Sequence, residues 1–269
     1  MGKIRFYCDE NSTIKFKIKD IVQMCLSGLE AFLDNISEKN PSSLNIIIKV
    51  LTSRFEKTRD FNISLNSEYK QFQEFPKLVD KSINMILSLV KFTEYQPKSI
   101  EEEINLKVTD IIHTLNHFEY YFIDSLLEIM PFQEVIKYYQ NFVNELTQSR
   151  KDPSNYLNSL QDLASNFKAF SEKWHDLEAT LEIIHEGKMV YKVKKCRWAE
   201  DLKHFEPEIG YTLMCHQDFE RVKNFNPHYV LTRKHTLMES GEYCDFCYHD
   251  TRNIKDISHP SKEFWKEFS

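Results

Sequence analysis

The feature that most constrains the fold is a change of hydrophobic periodicity near residue 177. Residues 13 to about 175 carry successive apolar runs at helical spacing, and prolines separate these runs. After residue 177 short alternating runs flank turn signals at Glu186-Gly187 and Ser240-Gly241, and a helical run over 208–225 lies between them. The pattern predicts an α+β chain in which a helical N-terminal half precedes a β-β-α-β-β antiparallel sheet with a helix packed on one face.

This pattern predicts three segments. They are a helical region at 1–176, an α+β domain at 177–250 and a tail at 251–269 that is either a short helix or disordered. Within the helical region, Ser99 followed by Glu102 is a capping box and predicts the start of a helix.

Composition excludes several classes of function. The formal net charge is −6 and basic residues are interspersed with acidic ones, so a nucleic-acid surface is not expected. No apolar run approaches the ~18 residues of a membrane span, and no secretory signal is recognisable. We therefore expect a cytoplasmic protein whose six cysteines are free thiols.

Polar residues interrupt the apolar faces of two predicted elements. The helix over 208–225 has a stripe with one carboxylate in it, and this stripe consists of Tyr211, Met214, Cys215, Asp218, Phe219, Val222 and Phe225. A strand over 229–237 would place Arg233 and His235 on its more apolar face. If the two faces pack together, Arg233 or His235 meets Asp218 beside Cys215. The alternative is a structural ion pair next to a buried, inert cysteine, which is the commoner arrangement.

The stretch "CDFC" contains two cysteines three positions apart, Cys244 and Cys247. In a strand these side chains point to opposite faces, so the pair is not expected to chelate a metal. No cofactor is therefore expected. A zinc ion bound by Cys196, Cys215 and Cys244 with His216 or His235 stays possible, without a spacing signature to support it.

Several short pieces follow one another in a fixed order near the C-terminus. They are Cys196 after a strand, "MCHQDF" on the helix, "FNPHYVLTRKHTLMESG" and "YCDF". As a set, over about 189–248, they resemble the L-2-amino-thiazoline-4-carboxylic acid hydrolase family, so the segment 177–250 would be a hydrolase-like domain.

The resemblance implies a small-molecule substrate, a cyclic isothiourea that carries a carboxylate and is opened to a carbamoyl cysteine. It implies that Cys215 attacks, that Asp218 holds the amidine-like nitrogens and that His235 protonates the leaving group, while Arg233 binds the carboxylate. Cys196 or Cys244 could equally be the nucleophile. Tyr211 and Asn226 are further candidates for substrate binding.

Two other functions stay open. The β-β-α-β-β plan also resembles, more distantly, the 4-vinyl reductase-type ligand-binding domain, which would make the protein a small-ligand or zinc-binding sensor without catalysis. The long helices would suit an interaction protein, and a homodimer through the helical half is expected. No nucleic acid or membrane partner is expected.

Overall fold

The computed structural model describes residues 2–58, 61, 75–90, 99 and 101–268. It confirms an α+β chain, with a mainly helical N-terminal half and a five-stranded antiparallel sheet in the C-terminal half. The chain forms two compact units: Thr13–Phe142, and a second unit that combines Met1–Ser12 with Val143–Ser269. Within the described ranges, no helix combines the length and the apolar character that crossing a bilayer requires.

The unit Thr13–Phe142 is a helical bundle with a small ribbon of two strands. Its helices are α1 (Ile18–Lys39), α2 (Leu44–Phe55), α3 (Pro76–Leu89), α4 (Val108–Leu127) and the first part of α5 (Phe132–Ser149). Phe32 of α1 stacks on Phe122 of α4 with ring centroids 4.8 Å apart, and both rings are buried. Burial of such aromatic pairs accounts for much of the packing between helices.

The ribbon corrects the prediction that residues 13 to about 175 form helices. β2 (Thr13–Lys17) pairs antiparallel with β3 (Glu103–Lys107). Ser99 does not cap a helix, because its hydroxyl accepts the N–H of Glu101 and closes a turn instead. Each strand has five residues, which is too short for an alternating pattern to be told from a helical turn. Of the proline breaks predicted between the helical runs, the one around Pro97, over 95–99, lies outside the described residues except for Ser99.

The sheet belongs to the second unit. Its order is β1 (Ile4–Phe6), β4 (Leu177–His185), β5 (Lys188–Cys196), β7 (Cys244–Asp250) and β6 (Tyr229–Thr232). β4 and β5 form the hairpin predicted at Glu186-Gly187, and every neighbouring pair is antiparallel. β5 and β7 lie inside the sheet, so side chains that alternate along them are buried on both faces.

One face of this sheet is covered by α6 (Leu160–Trp174) and α9 (Asp218–Phe225). Ser159 and Asp162 form a complete capping box at the start of α6. Phe167 of α6 packs on the rings of Tyr191 and Tyr248, with centroids 5.5 and 5.4 Å away. We call this the helix-covered face.

The other face is covered by the C-terminal segment, which ends in α10 (Lys262–Glu267). Trp265 and Phe268 pack there against Val190 and Cys247. Lys192 of β5 donates through Nζ to the backbone carbonyls of Trp265 and Phe268, so a buried ammonium caps the end of α10. The tail is thus a short helix, and we call the surface beneath it the tail-covered face.

The two compact units and the three predicted segments divide the chain at different places. The unit that holds the sheet also contains β1 and α6, which precede residue 177, because both pack on the sheet. The boundaries at residues 176 and 250 were predicted between functional segments, and the compact units do not test them. They therefore stay a prediction.

Candidate functional site

The predicted helix over 208–225 contains a π turn. Short helices α7 (Arg197–Leu202) and α8 (Pro207–Gly210) lead into it. Over 211–215 the helix widens, and the N–H of His216 donates to the carbonyl of Tyr211 at 2.8 Å, five residues earlier.

The π turn changes which side chains are buried. Thr212 and Leu213 are fully buried, although the predicted stripe contained neither. Both residues lie inside the wider turn, where side chains are not spaced as in a regular α-helix. Such turns occur often at functional sites.

Arg233 is the central charge of the helix-covered face. Its side chain is only 1 % exposed, and Nη1 donates to the Asp218 carboxylate at 2.6 Å. Nη2 donates to the backbone carbonyl of Cys215 at 2.9 Å and, at 3.4 Å, to the hydroxyl of Tyr211. The predicted contact between Arg233 and Asp218 is therefore confirmed, and both polar partners of Nη2 belong to the π turn.

Aromatic rings enclose the same guanidinium. Its Cζ atom lies 5.0 Å from the ring centroids of Phe219 and Phe246 and 5.5 Å from that of Tyr211. Burial alone would lower the pKa of Arg233, but the Asp218 carboxylate and its other partners raise it overall. Arg233 is therefore a fixed positive charge in apolar surroundings.

The predicted strand over 229–237 is too long, and His235 does not reach Asp218. The strand ends at Thr232 because the Asp245 carboxylate accepts the N–H groups of Lys234 and His235, each at 2.8 Å. Asp245 Oδ2 also lies 2.6 Å from His235 Nδ1, on the tail-covered side of β7. The Asp245 side chain thus accepts backbone N–H groups that a neighbouring strand would otherwise accept. As a result, His235 is directed away from Cys215.

Three thiols lie on the helix-covered face with Arg233. Cys196 and Cys244 belong to its apolar cluster, and the charges of both influence the pKa of Cys215. Burial raises the pKa of all three thiols above the ordinary value for cysteine. At neutral pH the resting site therefore holds thiols rather than thiolates.

Cys244 has the smallest rise in pKa of these three thiols. Burial raises its pKa to about 11, while the N–H of Leu237 and the charge of Arg233 oppose that rise. The N–H of Leu237 donates to the Cys244 sulfur at 3.2 Å. The turn that presents Leu237 is tight: a Cβ on Gly241 would lie 2.6 Å from the Thr236 carbonyl oxygen, so only glycine fits there.

The geometry does not fit a zinc site, either on the pair Cys244 and Cys247 or on the set of four candidate ligands. Cys244 packs on the helix-covered face and Cys247 on the tail-covered face, as strand alternation predicts. In the described part of the chain, the donor atoms of Cys196, Cys215, Cys244 and His216 do not all lie within 4.8 Å of one another. A tetrahedral zinc site brings its ligand atoms closer together than that.

The predicted substrate-binding residues have different surroundings. Tyr211 lies against Arg233, as described above. Asn226 is buried in the turn before β6, where its amide group donates to the carbonyl of Leu157 at 2.8 Å and accepts the N–H of His228 at 2.9 Å. Asn226 thus has the surroundings of a turn residue.

The tail-covered face holds a second polar cluster, which sequence reasoning missed. Thr232 Oγ1 is hydrogen-bonded to His249 Nε2 at 2.9 Å and to His259 Nδ1 at 3.0 Å. His259 Nε2 lies 3.2 Å from Asp245 Oδ2 and accepts the indole N–H of Trp265 at 3.0 Å. The cluster ties the C-terminal segment to β6 and β7. The sequence signal for this cluster is limited to the period-2 alternation of β7, because the other members come from distant parts of the chain.

His249 gives this cluster a pH dependence. Burial lowers its pKa from 6.5 to about 4, so the unfolded chain binds a proton at higher pH than the folded chain does. The stability that neutral His249 contributes is therefore complete above pH 6.5 and is lost as the pH falls towards 4. We expect a decrease of about 2–3 kcal/mol in the free energy of unfolding across that window.

Urea denaturation at a series of pH values measures this decrease. His249→Gln should flatten the curve between pH 6.5 and 4, whereas His204→Gln, at an exposed position, should leave it as in the wild type. Equal curves for the wild type and His249→Gln would contradict the assignment.

Comparison with known proteins assigns part of the chain to a family. Residues 116–248, about half of the chain, match the sequence profile described as L-2-amino-thiazoline-4-carboxylic acid hydrolase. No curated protein and no solved structure matches the chain. The matched range contains Arg233, Asp218 and the three thiols of the helix-covered face. The segment 116–248 therefore belongs to the L-2-amino-thiazoline-4-carboxylic acid hydrolase family.

Proposed function

We propose that the protein hydrolyses a C–N bond at an amidine-like carbon of a small molecule that carries a carboxylate. The observation that carries this proposal is the convergence of a buried, ion-paired Arg233 and three thiols on one sheet face inside the family segment. A fixed cation can orient a carboxylate substrate, and a thiol beside it can attack the neighbouring carbon.

The substrate carboxylate would bind Nη2 of Arg233. Of the hydrogen bonds that this nitrogen makes, the one to the Tyr211 hydroxyl is the longest, at 3.4 Å, and therefore the easiest to exchange. The displaced hydroxyl stays beside the reacting atoms and can deliver a proton. In this proposal Tyr211 takes the role of the acid, since His235 lies with Asp245 instead.

Cys244 is the nucleophile that the geometry favours. Its pKa, about 11, is raised less than those of Cys196 and Cys215, and the Leu237 N–H and Arg233 both stabilise its thiolate. The thiolate adds to the amidine-like carbon, the ring C–N bond breaks, and the released nitrogen takes a proton. Water then displaces the Cys244 sulfur and leaves a carbamoyl group on the substrate sulfur, so the net change is the addition of one water.

The test is turnover of L-2-amino-thiazoline-4-carboxylate by the full chain, followed by mass spectrometry of the ring-opened product. With a nucleophile whose pKa is about 11, kcat/KM should rise about tenfold per pH unit between roughly pH 7 and 9. Cys244→Ser should lower kcat/KM by a factor of about a thousand or more, because the hydroxyl is a much weaker nucleophile.

Cys247→Ala is the matched control, since Cys247 lies on the same strand and is also buried, but on the opposite face. It should retain activity within a few-fold. A kcat/KM that does not change with pH, or a Cys244→Ser variant as active as the wild type, would contradict the thiolate mechanism.

A second candidate function is small-ligand binding without catalysis. The observation in its favour is that burial keeps all three thiols of the site protonated at neutral pH. A sensor of this kind would bind the cyclic isothiourea but return it unchanged at every pH, which the same turnover assay distinguishes from hydrolysis.

A further inference from the structure

Asp176 is a buried carboxylate at the edge of the helix-covered face that the proposed mechanism does not use. It follows α6 directly, after His175, which adopts the left-handed conformation with φ 49°. It also precedes Leu177, which is paired with Cys196 across the sheet, and the Asp176 carbonyl accepts the N–H of Arg197 at 3.0 Å. The left-handed residue ends the helix and directs Asp176 into the interior next to Cys196.

The carboxylate of Asp176 has one satisfied oxygen and one free oxygen. Oδ2 accepts the indole N–H of Trp198 at 2.8 Å. Oδ1 is buried without a hydrogen-bond partner among the described residues, and the whole residue is 1 % exposed. A buried carboxylate oxygen without a partner costs free energy, which a donor arriving with a ligand would recover.

Asp176 and Arg233 lie beside different members of the group of thiols. Cys196, beside Asp176, packs in the same cluster as Cys244, and Val193 of β5 pairs with Cys244 of β7. Arg233 donates to the backbone carbonyl of Cys215. The pKa of Cys196 is raised by burial and then by Cys244 and Asp176, whereas Arg233 acts on the pKa of Cys215.

We propose that Asp176 binds the cationic, amidine-like end of the substrate through its free Oδ1, while Arg233 binds the carboxylate end. This assignment rests on the proposed function. It moves the role of holding the nitrogens from Asp218 to Asp176, because Asp218 is already bound at 2.6 Å to Arg233. A zwitterionic substrate would then span the thiols with each end against the opposite charge.

The experiment measures binding rather than turnover, by isothermal titration of the full chain with three probes. S-methylisothiourea carries the cation alone, S-methyl thiocarbamate is its neutral isostere, and cyclopentanecarboxylate carries the anion alone. The wild type should bind the cation at least about tenfold more tightly than the neutral isostere, which is the size of one charge-assisted hydrogen bond.

Asp176→Asn should weaken binding of the cation about tenfold or more and leave binding of cyclopentanecarboxylate within about twofold. A purely structural role would weaken both probes together or neither. Trp198→Phe removes the donor to Oδ2 but keeps the carboxylate, so it should bind the cation as tightly as the wild type or more tightly.

Two results would overturn the proposal. One is a wild type that does not prefer the cation over its neutral isostere, a result that does not depend on any variant folding. The other is an Asp176→Asn variant that weakens both probes together or neither, or a Trp198→Phe variant that binds the cation more weakly than the wild type. Failure of the hydrolase proposal can be told apart from failure of this one. In that case the protein would not turn over the substrate but would still bind the cation more tightly than the neutral isostere.

Discussion

Replacement of Asp218 by asparagine is expected to lower the free energy of unfolding of the sheet-containing unit by about 3 kcal/mol. The Arg233 side chain is 1 % exposed and that of Asp218 is 23 % exposed, so the variant leaves a buried guanidinium without its carboxylate. The amide oxygen can still accept a hydrogen bond from Arg233, but it carries no charge. All three tryptophans, Trp174, Trp198 and Trp265, lie in this unit, so denaturant unfolding followed by tryptophan fluorescence reports on it selectively.

The double variant Asp218→Leu with Arg233→Met is the control for this prediction. It replaces the ion pair by apolar side chains of similar volume, which is often close to neutral for stability. We expect it to recover most of the lost free energy but none of the binding of a carboxylate ligand. If Asp218→Asn unfolds within about 1 kcal/mol of the wild type, the pair does not hold the site together.

Replacement of Trp265 by alanine is expected to cost about 3–5 kcal/mol and to release the C-terminal segment from the sheet. Trp265 is 1 % exposed, packs on Cys247 and Val190, and donates to His259. Its removal leaves a large cavity beside the polar cluster. The Cys247 thiol, which is fully buried, should then react with a thiol reagent about a hundredfold faster, because local opening becomes easier.

The rate of Cys247 modification, followed by peptide mass mapping, measures this release. Ile257→Ala is the matched control, because Ile257 belongs to the same segment but is 44 % exposed. It should change neither the stability nor the thiol rate appreciably. Unchanged protection of Cys247 in Trp265→Ala would show that other contacts hold the segment in place.

The fold class could be predicted because it depends on periodicity. The change near residue 177, the β4–β5 hairpin and the opposite faces of Cys244 and Cys247 all follow from local spacing. The ribbon of β2 and β3 could not be predicted this way, since its two strands are 85 or more residues apart and each is five residues long. Pairing over such a separation leaves no local signal.

The site was predictable only where it lies on a regular element. Helical spacing placed Asp218 within reach of Arg233, and the contact exists. The predicted position of His235 was wrong because the Asp245 side chain accepts backbone N–H groups that a neighbouring strand would have accepted. Asp176 lies between a helix and a strand, where neither periodicity applies, so only the structure brings it next to Cys196.

The polar groups of the two sheet faces make different contributions. On the helix-covered face they are few and enclosed by aromatic rings, an arrangement that suits the binding and reaction of a small charged molecule. On the tail-covered face they form a connected network around Thr232 that holds the C-terminal segment. In the proposed function, neighbouring residues on β7 would thus serve substrate chemistry on one side and stability on the other.

The most direct test of the account is to trap the covalent intermediate. The full chain is mixed with L-2-amino-thiazoline-4-carboxylate at about pH 9, where more of a thiol with a raised pKa is ionised, quenched in acid and mapped by peptide mass spectrometry. We predict a substrate adduct on Cys244 and none on Cys247. Turnover without an adduct on Cys196, Cys215 or Cys244, or an adduct on Cys8 or Cys25 instead, would contradict the claim that the helix-covered face is the site of the chemistry.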